Sequence, residues 1–314
     1  MKNALLNYEN IFYLNSTTIS GITSIDGSYS INYEPIKTIG VGYSKQIIAE
    51  VPVANFSIDK YLLYNDPFLQ FTGENRNRTA KSFRGSINYN GKKLGFQSGY
   101  LNSFSLSCSV GEVPTTTADI IVYGDLGPNY NASGNFKPPE LSVPQIKDIT
   151  LTCSGSSSNR ITSFDYSINC PKQPIYLINQ SGYNYSGPNI GPTTPLANYI
   201  PSEVLLNVPI EADASFTLEV DDYESQSLYD RLTNDIDNSF SINIKGVVFQ
   251  DQPLSVNSQD LDVNGQSLLV MRKAVGLSLF SESFNNFKLV SQQFSSDADN
   301  VLSVKLNYKG YLNT

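Results

Sequence analysis

The sequence predicts a mainly β protein made of two tandem domains. Three observations predict it: a period-two alternation of polar and apolar residues, turn-forming clusters between the alternating runs, and short motifs that recur in the same order in both halves of the chain. Ser28 to Tyr33, Phe104 to Val110 and Leu302 to Tyr308 all alternate. Successive side chains of a strand point to opposite faces, so each run carries one apolar and one polar face. Helical signals are few. Tyr223 to Leu232 fits one short helix with Leu228 and Leu232 on a common face, and Asn65 to Phe71 fits a turn of another.

The 18 residues from Gly127 to Pro144 hold two glycines and four prolines. This break predicts a first domain over 1–126, a linker over 127–147 and a second domain over 148–314. The motif Ile22-Thr23-Ser24-Ile25-Asp26, with Tyr29 to Asn32 after it, reappears as Ile161 to Asp165 followed by Tyr166 to Asn169. Val51 to Ile58 resembles Val208 to Leu218. Asn102 to Cys108 and Ala118 to Leu126 resemble Asn286 to Ser291 and Asn300 to Leu312. A duplicated domain follows, with the longer insertions in the second copy. The Gly/Pro/Tyr-rich stretch from Tyr176 to Pro201 reads as one of those insertions, a long loop.

Composition narrows the function. The 314 residues are 40% hydrophobic but only 16% charged, with a net charge of −8. An acidic chain lacks the basic footprint of a general nucleic-acid binder, although its surface lets DNA pass without sticking. There is no histidine. That removes Ser-His-Asp and Cys-His catalysis and most zinc sites. There is no tryptophan, which weakens a lectin-like stacking site. Cys108, Cys153 and Cys170 form no CxxC and read as buried thiols in a reducing cytosol. The opening MKNALLNYEN does not read as a signal peptide, and no run is long enough for a membrane helix. No cofactor is expected, and no enzyme.

Phe12 to Asn15 with Ser20 to Tyr29, Asn65 to Gly73, Ser98 to Leu101 and Ser109 to Thr115 resemble structural proteins of tailed bacteriophages. The resemblance covers roughly the first 126 residues and reaches the second half through the internal repeat. It implies the tail tube (major tail) protein family. The implied fold is a small β-sandwich or partial barrel with a short flanking helix. Six such domains would form a ring whose inner strands close into a barrel, and stacked rings would conduct DNA. A chain with two such domains would need three copies per ring. The implied partners are the chain itself, other tail proteins and viral DNA passing without specific binding. The implied location is the virion tail, assembled in the host cytoplasm. A distal-tail or hub component is the alternative, and an extracellular adhesin or carbohydrate-binding module a further one.

Four groups are candidates for contacts between subunits or rings. Arg76, Arg78, Lys81 and Arg84 form the densest basic cluster, read as a loop docking on an acidic surface, a solvated hairpin or, least of all, a DNA contact. Phe104, Leu106, Ile120 and Val122 lie on the strand pair read as an assembly element, with its Ser and Thr side chains facing a channel or partner. Tyr183 and Tyr185 sit in the long loop as interface anchors or a sugar platform. The acidic run from Glu219 to Glu224, with Asp235, Asp237, Asp260, Asp262, Asp297 and Asp299, reads as an acidic face. Calcium binding and glycoside hydrolysis are its other readings, and no EF-hand spacing is present.

Overall fold

A computed structural model describes residues 10–15, 17–30, 33–35, 47–49, 52–63, 66–72, 78–89, 92–124, 126–128, 141–176, 201–220, 223–234, 238–253, 270–296 and 301–312. Within these the chain is mainly β, with one α-helix. The first half holds β1 (Asn10–Leu14), β2 (Thr17–Ile19), β3 (Ile22–Ser30), β4 (Tyr33–Pro35), β5 (Ile47–Ala49), β6 (Val53–Tyr61), β7 (Ser82–Tyr89), β8 (Lys92–Ser109) and β9 (Thr115–Tyr123). The second holds β10 (Ile149–Cys153), β11 (Ser156–Ser158), β12 (Ile161–Asn169), β13 (Lys172–Ile175), β14 (Glu203–Leu206), β15 (Ile210–Glu219), β16 (Asn238–Pro253), β17 (Val270–Ser295) and β18 (Ser303–Leu312). The helix α1 (Tyr223–Asn234) lies between β15 and β16. A 3-10 turn, Leu69–Phe71, takes the matching place between β6 and β7.

The two halves have one strand order. The first pairs β2-β1-β7-β8-β9-β6-β3 and the second β11-β10-β16-β17-β18-β15-β12. Three of their irregularities coincide as well. The β3–β6 and β12–β15 ladders both shift register after the first pair, at Thr23 and at Thr162. The β7–β8 and β16–β17 ladders do so at Arg84 and Ser239, and the β8–β9 and β17–β18 ladders at Asn102 and Val290. Bulges occupy specific ladder positions, so three coincidences fix a residue-by-residue correspondence. Ser24 answers to Ser163, Asp26 to Asp165, Tyr29 to Ile168, Leu106 to Phe294 and Lys60 to Leu218.

This register corrects part of the sequence alignment. Ile22 to Asp26 does match Ile161 to Asp165, but Gly27 stands where Tyr166 does, so Tyr29 to Asn32 is two residues out of phase with Tyr166 to Asn169. Asn102 answers to Val290 rather than Asn286, and Phe216 to Ile58 rather than Phe56. The matched strands are right. Four-residue words recur too easily in alternating sequence to fix the register within them.

Each half folds over its own aromatic core. In the first, Phe96 of β8 stacks on Phe56 of β6 with centroids 5.6 Å apart and meets Phe83 of β7 at 6.0 Å. In the second, Phe284 of β17 meets Tyr166 of β12 at 5.0 Å and Phe240 of β16 at 5.0 Å. Two sheets therefore face one another in each half, sharing the long strand β8 or β17. Leu228 and Leu232 of α1 are fully buried, as their spacing predicts, and the Tyr308 hydroxyl donates to the Leu232 carbonyl at 2.8 Å.

Candidate assembly interface

The edge of β8 carries two partners in succession. Its first part pairs with β7, and Ser103 to Ser109 pair with β12 of the second half, from Ser109↔Ser163 to Ser103↔Asn169. The halves are thereby joined edge to edge. The result is one continuous sheet of eight strands, β3-β6-β9-β8-β12-β15-β18-β17. The seam extends beyond the ladder. The Cys170 N–H donates to the Asn102 carbonyl (2.8 Å), Val110 N–H to Thr162 (2.9 Å) and Gly111 N–H to Pro144 (3.1 Å). The Ala80 N–H donates to the Val204 carbonyl at 2.8 Å, and the Thr79 hydroxyl to the Glu203 carboxylate at 2.8 Å.

Alternation gives this sheet a buried face and a polar one. The polar face carries a hydroxyl–carboxylate lattice. Asp59 accepts from Ser24 (2.6 Å) and Thr117 (2.7 Å), and Asp119 from Ser57 (2.6 Å) and Ser103 (2.5 Å). Asp165 accepts from Ser107 (2.7 Å) across the seam and from Ser215 (3.3 Å). The Ser24 bond, then that of Thr117, holds the Asp59 carboxyl below its ordinary value. Lys305 approaches Asp165 at 3.8 Å and Lys309 approaches Glu211 at 2.9 Å. Two shallow hollows lie along this face. One, of about 500 Å³, is lined by Ser105, Asp165, Asp213 and Lys309 among others, and one of about 390 Å³ by Asp26, Ser57 and Asp119 among others.

The expected contact residues fall in several places. Phe104, Leu106, Ile120 and Val122 are buried, between 0% and 2% exposed, in the chain's own core. As side-chain contacts between subunits they are corrected: they occupy the inward phase, and Ser103, Ser105, Ser107, Thr117 and Asp119 take the polar phase. Phe104 and Leu106 still enter the seam through their backbone pairing with Ile168 and Tyr166. Arg78, exposed with φ +62°, leads into the Thr79–Ala80 segment that meets β14. Lys81 donates to the Gln70 carbonyl at 3.2 Å within its own half. The Arg84 N–H takes the Asn15 side-chain oxygen at 2.9 Å. Arg76, Tyr183 and Tyr185 lie outside the described residues, as do Asp221, Asp222, Asp235, Asp237, Asp260, Asp262, Asp297 and Asp299.

All three cysteines are buried, and none is in a disulfide. Burial pushes the Cys108 thiol up to about 12, which leaves it unreactive. Among the described residues no cluster of Cys, Asp and Glu is placed to hold a metal ion. Sequence reasoning missed the open-edge residues Phe294 and Tyr29, which stand 56% and 45% exposed. Only the repeat register singles them out, because their counterparts Leu106 and Ile168 are buried at 2% and 3%. Neither protein-family models nor curated protein sequences match the chain.

Proposed function

We propose that the protein is a structural subunit of a phage tail tube, assembling into rings of three chains that stack around a DNA channel. The observation that carries this reading is the seam. Two equivalent units already sit side by side in one sheet, with a hollowed polar face on one side and the packed core on the other. Continuing the same contact around an axis closes the sheet on itself and removes its open edges. With six units, three chains of eight strands give one barrel.

The polar face suits a channel wall. Asp26, Asp59, Asp119, Asp165 and Asp213 share that face with Lys305 and Lys309. An acidic wall repels phosphate rather than holding it. Small Ser and Thr side chains keep the wall smooth. The virion tail is the setting that this arrangement serves.

Electron microscopy of the purified protein tests the reading. Annular particles with a central channel, or tubes built from them, are the expected result. A protein that stays monomeric at every concentration, alone and with tail-initiating proteins, would contradict it.

A further inference from the structure

Among the described residues no strand pairs with the outer edge of β3 or with the corresponding edge of β17 at Ser291–Ser295. We infer that successive copies join by pairing this edge of β17 on one copy with this edge of β3 on the next, in the register of the internal β8–β12 seam. The inference rests on the ring reading and specifies its contact. In the repeat correspondence β3 is the counterpart of β12, and Ser291–Ser295 of β17 the counterpart of Ser103–Ser107 of β8. The second pair is joined within the chain, and the first pair lies at the two ends of the eight-strand sheet. Transferring the register sets Asp26 opposite Ser295, Gly27 opposite Phe294, Ser28 opposite Gln293, Tyr29 opposite Gln292 and Ser30 opposite Ser291.

Side chains agree with this transfer. Within the chain Leu106 faces Tyr166, and both are buried. Between copies the large Phe294 faces Gly27, whose side-chain position is covered by the Phe56 ring of its own chain, so Phe294 meets an aromatic surface there. Tyr29 lies diagonally beside Phe294, within reach of an aromatic side chain across an antiparallel pair. Phe294 touches Tyr229 edge-on at 6.3 Å yet stays 56% exposed, so the open edge leaves apolar surface for a partner. On the polar face, Asp26 and Ser295 repeat the chemistry of Asp165 and Ser107, a hydroxyl donating to a carboxylate across the joint. The occupant is therefore a second copy of this chain.

Paired cysteines test the register. The native thiols are buried, so background cross-linking is low. Ser28→Cys with Gln293→Cys puts two thiols opposite one another on the polar face. Ser28→Cys with Ser295→Cys puts them on the same face one pair apart, too far for a disulfide. Each protein is imaged for rings, oxidised and run without reductant. Chain-to-chain disulfide at least about tenfold above the offset pair is expected for the first. Rings with no such preference, or with the offset pair cross-linking better, overturn the register and leave the ring reading standing. Absence of both rings and cross-links overturns both. Melting curves of the two variants, whose substituted positions are exposed, establish that each is folded.

Discussion

The Ser107 hydroxyl donates to the Asp165 carboxylate at 2.7 Å, and the two residues stand opposite one another across the seam between the halves. Ser107 is exposed and the Asp165 side chain about half so, and Asp165→Asn therefore changes the stability of the chain by only about 1 kcal/mol or less. Tyr166, their neighbour on the buried face, is 3% exposed and rests on Phe284. Tyr166→Ala costs about 3–5 kcal/mol. Urea unfolding of the two variants separates polar trimming of the seam from the packing that holds it.

Lys60 and Asp66 form a buried ion pair at 2.5 Å in the first half, where the second half has Leu218. Removing one partner strands a charge. Asp66→Asn keeps an oxygen for the Phe68 N–H but leaves the ammonium unpaired, at a cost of about 3–5 kcal/mol. Lys60→Leu combined with Asp66→Asn places the second half's residue in the first and recovers most of that loss. A double-mutant cycle in guanidinium measures the recovery.

Phe294→Asp separates folding from assembly. The side chain is largely exposed in the single chain, so unfolding free energy moves by about 0.5 kcal/mol. Assembly is lost, because the charge is buried against Gly27 of the next copy. Sedimentation alongside thermal melts reads both quantities from one sample.

Burial pulls the Lys172 ammonium down to about 8, although it donates to the Cys170 carbonyl at 2.6 Å. Between about pH 8 and the ordinary lysine value of 10.5 the unfolded chain still holds a proton that the folded chain has released. Stability therefore rises with pH over that window, and the penalty is complete below it. Relative to Lys172→Met, the wild-type chain gains roughly 1–2 kcal/mol from pH 8 to 9.5. Equal pH dependence of the two proteins would remove Lys172 as the source.

Much of the fold is legible from alternation and punctuation. Phe104 to Val110 alternates because the strand has one wet and one dry face, and Leu228 and Leu232 share a helical face against the core. The repeat is legible as an order of strands but not as a register. Ile22 to Asp26 matches Ile161 to Asp165 correctly, whereas Tyr29 is drawn to Tyr166 by chemical likeness when the ladder register makes Ile168 its counterpart. The interface is the least legible part. Phe104 and Phe294 look alike in sequence, and only knowing which edges are already joined tells that one is interior and the other available. Thr79 and Ala80 look like part of a charged loop, and their bonds to β14 depend on contacts more than a hundred residues away.

The mass of the assembled ring is the most direct test. Native mass spectrometry of particles dissociated to single rings should give three chains, about 104 kDa at 34.6 kDa each. Six chains per ring, or a monomer that never associates, would contradict the ring of six units made from three duplicated chains.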